Sequence, residues 1–121
     1  MLTEGNRTDI LNSFLETIKS ISDVEYQRRA WIQGEPPGTD FDETINNYFL
    51  EAEGILEHYK DFWITDSQYQ ILKKFRDKFE VFANDNHFPH KFIDTPKWNE
   101  ITEMAKEVLK AFNYRKNKPA E

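Results

Sequence analysis

The chain has 121 residues, about the size of one domain and enough to bury one hydrophobic core. Hydrophobic residues make up 38% of it, too many for a disordered chain, and charged residues make up 31%, which predicts a polar surface. It has no cysteine, so disulfides, thiolate metal sites and cysteine nucleophiles are excluded. Since no apolar run approaches the ~20 residues of a membrane span, and the N-terminus has no apolar signal core, we expect a cytoplasmic protein without a membrane partner.

Two helices are predicted in the first part of the chain. Apolar residues recur at three- and four-residue steps through 9–21, which is typical of an amphipathic helix. Ser22 followed three residues later by Glu25 has the spacing of a capping box, so a second helix is expected over 23–33. Gly34 and the proline pair after it should end this helix, because proline lacks the backbone donor.

The third predicted helix spans 40–60 and follows the only proline- and glycine-rich loop. Thr39, with Asp42 three residues on, is the predicted start signal. The expected buried stripe of this helix consists of Phe41, Ile45, Tyr48, Phe49, Ala52, Ile55, Leu56 and Tyr59.

A fourth helix is predicted over 66–83. Thr65 with Gln68 again has capping-box spacing, and large apolar residues follow on one side of the helix. The asparagine-rich segment 84–86 is expected to stop it in a left-handed conformation, which asparagine tolerates better than most residues.

The last predicted helix spans 96–113. Thr95 can cap it, and Pro96 suits the first helical position, where a backbone donor would have no partner in any case. In the loop before it, Phe88 and Phe92 are expected to fold back onto the core.

No run alternates with a period of two for long enough to predict a strand, and the chain has no internal repeat. The sequence therefore predicts an all-α fold, a single compact domain over residues 1–121 with about five amphipathic helices. Residues 1–7 and 115–121 are expected to be frayed.

Signals for catalysis or metal binding are weak. His87 and His90 are three residues apart, but the proline between them argues against a helical ligand pair for zinc. A di-iron bundle would need a glutamate three residues before His58, where the chain has Ile55. Glycine-rich phosphate loops and serine elbows are also lacking. We therefore expect no cofactor, no metal and no enzymatic activity.

Charge is unevenly distributed along the chain. Residues 1–66 hold 14 acids and 5 bases, for a net charge of about −9, while residues 67–121 hold 8 acids and 11 bases, for about +3. The segment 35–59 has seven acids and neither lysine nor arginine. Such a surface attracts basic proteins and repels nucleic acid. We therefore expect a basic protein partner and no nucleic-acid partner.

The third helix presents most of these acids on one side. A helical wheel at about 100° per residue places Leu50 opposite the buried stripe, surrounded by glutamates and asparagines. An apolar residue ringed by acids is typical of an interface anchor, although a solvated face with one exposed leucine is the alternative. The predicted partner-binding residues are Asp40, Asp42, Glu43, Leu50, Glu53 and Glu57.

Two resemblances bear on function. A family of small, uncharacterised bacterial helical proteins carries segments similar to EYQRRAW at 25–31 and FIDTPKW at 92–98. In size, acidity and helical pattern the chain also resembles the helical immunity proteins that bacteria keep against their own toxic nucleases, including those of contact-dependent inhibition systems. The tyrosine-pair motif of the helical colicin immunity proteins is not present here.

The immunity resemblance implies a non-enzymatic inhibitor that occludes a basic partner such as a toxic nuclease. A small structural or regulatory protein that forms homo-oligomers, without a toxin partner, is the alternative. A hydrolase or other enzyme with an acidic cleft is the third class.

Overall fold

The computed structural model describes residues 4–35 and 40–113. Within these residues there are helices and connecting turns but no strand, so the predicted all-α fold is confirmed. No helix in the described part of the chain is long and apolar enough to cross a membrane. The α-helices are α1 (Glu4–Ser22), α2 (Val24–Gln27), α3 (Phe41–Glu57), α4 (Asp66–Asp85), α5 (Pro89–Phe92) and α6 (Pro96–Ala111).

The first helix is longer than predicted. It begins at Glu4, so residues 4–7, which were expected to be frayed, are helical. At the other end of the chain, residues 115–121 lie outside the described part, as do residues 1–3. The predicted stripe is confirmed in α1, where Phe14, Ile18 and Ile21 are fully buried.

The second helix differs from the prediction in its cap and its winding. The capping residue is Asp23, whose carboxylate accepts from the Tyr26 N–H at 3.1 Å, while the Ser22 hydroxyl donates to the Lys19 carbonyl of α1. After α2 the chain continues as a π-helical turn, Arg28–Ile32, which the periodicity did not predict. Gly34 follows with a left-handed φ of 76°, which glycine adopts without steric cost.

The third predicted helix ends earlier than expected. After α3 the chain forms a separate 3₁₀ turn, Tyr59–Phe62, and Trp63 follows with a left-handed φ of 60°. Asp40 caps α3, since its carboxylate accepts from the Glu43 N–H at 2.8 Å. The predicted cap, Thr39, lies outside the described residues.

The fourth helix has the predicted capping box. The Thr65 hydroxyl accepts from the Gln68 N–H at 3.1 Å, and the Gln68 side chain accepts from the Thr65 N–H at 2.9 Å. The expected left-handed stop was wrong, because Asn86 is extended with a φ of −133°. Its side chain instead donates to the Phe82 carbonyl at 2.9 Å. The left-handed asparagine is Asn113, after α6, with a φ of 57°.

The loop before α6 contains a short helix, α5, that the sequence did not predict. Phe92 at its end is buried as expected, but Phe88 is 57% exposed, so its predicted return to the core was wrong. Thr95 and Pro96 start α6 as predicted, with the Thr95 hydroxyl accepting from the Trp98 N–H.

The core is formed where α1 packs against α6 and α3, and where α4 packs against α6. A cluster of aromatic rings lies at one end of it, with centroids 4.7 to 6.1 Å from those of neighbouring rings. Phe41, the first residue of α3, belongs to this cluster, so the cluster holds the start of α3 in place. Its members are Trp31, Phe41, Phe82, Phe92 and Trp98.

A buried glutamine connects three elements of this core. Gln27 has no exposed surface, and its amide nitrogen donates to the Ser20 and Ile21 carbonyls at the end of α1, at 2.9 and 2.8 Å. Its amide oxygen accepts from the Trp98 Nε1 of α6 at 2.8 Å. The last carbonyls of a helix have no partner within the helix, and Gln27 satisfies two of them.

Candidate protein-binding face

The packing of α3 decides which of its residues face outward. Its inner side buries Thr44, Tyr48, Ala52 and Ile55, each at most 7% exposed. Because a helix turns about 100° per residue, the residues opposite these must lie at the surface. The orientation of α3 therefore follows from core contacts and does not depend on a partner.

The opposite side of α3 carries an apolar residue among acids. Leu50 is 80% exposed, and the acids predicted to surround it, Asp42, Glu43, Glu53 and Glu57, are all exposed as well. These five residues are called the acidic face below. Within residues 4–35 and 40–113, Asp42, Glu43 and Glu53 form no ion pair, and Glu57 only approaches His58, at 3.9 Å. The carboxylates of the acidic face are thus available to a cation.

Asp40, also predicted as a partner-binding residue, has a different environment. It is exposed, but its carboxylate caps α3 through the Glu43 N–H, and its carbonyl accepts from the Thr44 hydroxyl at 3.1 Å. An acid at this position also interacts favourably with the positive end of the helix dipole. The stabilisation of α3 therefore explains the presence of an acid at position 40 without a binding partner.

Phe49 was wrongly predicted to be buried. Its ring is 37% exposed and lies edge-on to the buried Tyr48 ring, with a centroid distance of 5.3 Å. Phe49 follows Ile45 by four residues and lies at the margin of the buried stripe. This marginal position was the only signal of its exposure in the sequence.

The neighbouring edge of α4 adds further charges that the sequence did not place beside α3. Arg76 donates from Nε and Nη2 to one carboxylate oxygen of Asp77, at 3.0 and 2.9 Å. Burial raises the pKa of Glu80, the charges of Glu53 and Asp77 raise it further, and Arg76 opposes them. The charge of Glu53 on α3 thus acts on Glu80 of α4, so carboxylates of the two helices are electrostatically coupled.

The raised pKa of Glu80 predicts a pH-dependent stability. Because the folded pKa lies above the ordinary 4.5, the ionised side chain penalises the folded state, and stability is lost as pH rises through the interval between the two values. Glu80→Gln should therefore raise the free energy of unfolding near neutral pH, by at most about 1 kcal/mol, with the gain vanishing below the ordinary carboxyl pKa. Urea unfolding of the unmodified chain and of Glu80→Gln, near neutral pH and below the ordinary carboxyl pKa, checks this.

The exposed Glu107→Gln on α6 removes the same charge far from α3 and is the matched control for that experiment. An equal gain in both variants would mean that net charge, and not the surroundings of Glu80, sets the effect.

A second surface feature is an open groove of about 770 Å³ between α4 and α6. Its floor includes Phe82, Ile101 and Met104, and Val81 lies exposed beside them. The Lys78 ammonium and the Glu100 carboxylate, which also line the groove, are 3.4 Å apart. Charges of both signs line this groove, in contrast to the acidic face.

The three histidines lie at the surface, and His87 and His90 are both exposed. His58 lies 3.9 Å from the carboxylates of Glu57 and Asp61. Within the described residues, no group of three or more histidine, aspartate or glutamate side chains is arranged to hold a metal ion.

The arrangement on α3 combines an exposed apolar anchor with carboxylates free to meet cations. These are the two elements that a protein–protein interface uses for affinity and for steering. No family model, no curated protein and no solved structure is significantly similar to this chain.

Proposed function

We propose that this chain is a non-enzymatic protein-binding module whose acidic face docks onto a basic protein. The observation that carries the proposal is Leu50, a large apolar side chain left 80% exposed among carboxylates, three of which, Asp42, Glu43 and Glu53, form no ion pair within residues 4–35 and 40–113. Burial of Leu50 would supply contact energy, and the surrounding acids would supply steering. No catalytic residue and no cofactor is part of this proposal.

Charge favours a different protein over a second copy as the occupant of this face. In a two-fold dimer through Leu50 each acidic face would meet itself, and like charges placed opposite each other destabilise an interface. A homo-oligomer through other exposed aromatics, such as Trp63 and Phe88, is the alternative. Sedimentation that depends on protein concentration would indicate that alternative.

Within this class, we favour an immunity-type inhibitor in the cytoplasm that occludes a toxic nuclease. Nucleases bind phosphates with lysine and arginine, so their clefts offer the charge that the acidic face complements. The resemblance to helical immunity proteins in size and acidity supports this narrower form. The inhibitor would act stoichiometrically, by covering the basic cleft or a surface beside it.

The test is a charge reversal of the acidic face. Glu53→Lys combined with Glu57→Lys should slow association with the basic partner by about tenfold or more at low salt, since the steering charge is inverted. Leu50→Ala should chiefly accelerate dissociation, because it removes the apolar anchor. The tagged protein is used to capture its partner from host lysate at low salt, and both rate constants are then measured with the purified partner.

The chain offers a matched control on α6. Glu103 and Glu107 are both exposed and have the same four-residue spacing, so Glu103→Lys with Glu107→Lys makes an equal change of net charge elsewhere. If both double variants lose association with the partner, overall charge and not the acidic face causes the effect. If the acidic-face variants bind every captured protein as well as the unmodified chain does, the proposal is wrong. A nuclease partner should, in addition, lose its cleavage activity at an equimolar ratio.

A further inference from the structure

The edge between α3 and α4 contains a buried polar group without a partner. Tyr48 is fully buried, and its hydroxyl makes no hydrogen bond to any group in residues 4–35 and 40–113. The Tyr48 ring packs against α4, with its centroid 4.9 Å from that of Phe79, the residue before Glu80. Burial and the charges of Glu80, Asp77 and Glu53 raise the pKa of the hydroxyl, against the effect of Arg76, so the hydroxyl is neutral. A buried hydroxyl without a hydrogen bond costs the folded protein about 1–3 kcal/mol. An unpaired buried group of this kind calls for an explanation, and a ligand that supplies the missing partner is one.

The carboxylates around this hydroxyl exceed the local positive charge. Arg76 is engaged by Asp77 through both Nε and Nη2. Glu53 and Glu80 have no ion-pair partner in residues 4–35 and 40–113, and Glu80 is half-buried, where water screens its charge less than at the surface. An added cation would therefore find two carboxylates here that no ion pair engages in the described part of the chain, with the charge of Glu80 only partly offset by Arg76.

An aromatic ring, that of Phe49, lies on the same edge between α3 and α4. Phe49 precedes Glu53 by four residues, so both lie on the same side of α3, and its ring is partly exposed. A guanidinium group can stack on such a ring while it donates two hydrogen bonds to a carboxylate, whereas an ammonium group cannot make the planar, two-pronged contact. The chemistry of this edge thus selects arginine over lysine.

We propose that Phe49, Glu53 and Glu80 form a subsite for an arginine side chain of the partner protein, with Tyr48 as a positioning residue beneath it. The guanidinium would bind between the two carboxylates against the Phe49 ring. Held by this cation, the Glu80 carboxylate would accept the hydrogen bond that the Tyr48 hydroxyl lacks in the free protein. This inference rests on the proposed function, since the arginine belongs to the basic partner.

The test uses a probe that does not require the partner. The amide of N-acetyl-arginine is titrated into the ¹⁵N-labelled full chain at low salt and followed by NMR, with the citrulline analogue as an uncharged probe of the same shape. We expect saturable shifts confined to the amides around Tyr48, Glu53 and Glu80, with a Kd of order millimolar, because two charge-assisted contacts and ring stacking together contribute about 4 kcal/mol. The citrulline probe should not saturate.

Two substitutions separate the subsite from general acidity. Glu80→Gln should weaken arginine binding about fivefold or more, and Glu107→Gln should leave it unchanged. Tyr48→Phe should weaken it about twofold and raise the melting temperature of the free protein, because it deletes the unpaired hydroxyl. A structural role alone would not couple tighter folding to weaker binding.

Three results would overturn the subsite: no saturation with the arginine probe, equal shifts with citrulline, or equal weakening by Glu80→Gln and Glu107→Gln. These results are independent of partner capture. Saturable arginine binding with no partner captured would reject the protein-binding function and leave only a site for a free guanidinium ligand, whereas partner capture without arginine binding would reject the subsite alone.

Discussion

Trp98→Ala is expected to lower the free energy of unfolding by about 4 kcal/mol, the usual cost of deleting a buried tryptophan. Trp98 is fully buried, and its ring lies within 4.7 to 6.1 Å of four other aromatic rings. Its removal would open a cavity where α4, α5 and α6 meet the π-helical turn. Since domains of this size are stable by only about 5–15 kcal/mol, such a loss is a large fraction of the total.

Urea unfolding followed by circular dichroism measures this loss. Trp63→Ala is the matched control, because Trp63 is 52% exposed and its truncation should cost no more than about 1 kcal/mol. Trp98→Phe should fall between the two at about 2 kcal/mol, since it keeps a ring in the cluster but deletes the N–H that Gln27 accepts. Equal losses for the two alanine variants would contradict the position of Trp98 in the core.

Gln27→Met is expected to cost about 3 kcal/mol, although methionine has nearly the same volume. The substitution leaves the Trp98 Nε1 and the Ile21 carbonyl without their present partner in buried surroundings, whereas the partly buried Ser20 carbonyl keeps the Asp23 N–H at 3.4 Å. A buried polar group that loses its partner costs more than a typical hydrogen bond contributes. The loss should therefore appear even though no cavity forms.

The exposed Gln70 on α4 provides the control, since Gln70→Met should change stability by no more than about 0.5 kcal/mol. A double-mutant cycle with Trp98→Phe isolates the contact between the two side chains. The double variant should be less destabilised than the sum of the single variants by about 1 kcal/mol, because phenylalanine has no N–H to leave unpaired. Strict additivity would mean that this hydrogen bond contributes nothing.

Trp98→Ala and Gln27→Met should also affect the acidic face indirectly. Phe41, the first residue of α3, contacts Trp31, Phe92 and Trp98, so this cluster anchors the end of α3 that precedes the face. Partner binding should therefore weaken in Trp98→Ala at temperatures where the protein remains folded, and Trp63→Ala should leave it unchanged. The acidic face is in this sense a surface feature maintained by the core.

The candidate site was predictable from the sequence on its outward side and not at its edges. Leu50 and its surrounding acids are exposed as the helical wheel predicted, because a helix period alone sorts residues lying opposite a strong apolar stripe. Phe49 lies at the margin of the stripe, where the period does not decide burial. The proximity of Glu53 to Glu80 depends on how α3 lies against α4, which no pattern within either helix records.

The sequence by itself determined the helical class, the positions of the long helices and the caps at Thr65 and Thr95, because these depend on contacts within four residues. Tertiary structure decided the features that depend on packing between elements. It set the π-helical turn that buries Trp31 and the exposure of Phe88. It also set the hydrogen-bond partners of Gln27, which include Ser20 of α1, seven residues away, and Trp98 of α6, 71 residues away. Side chains distant along the chain compete for the same buried space, and only the assembled core determines which are excluded from it.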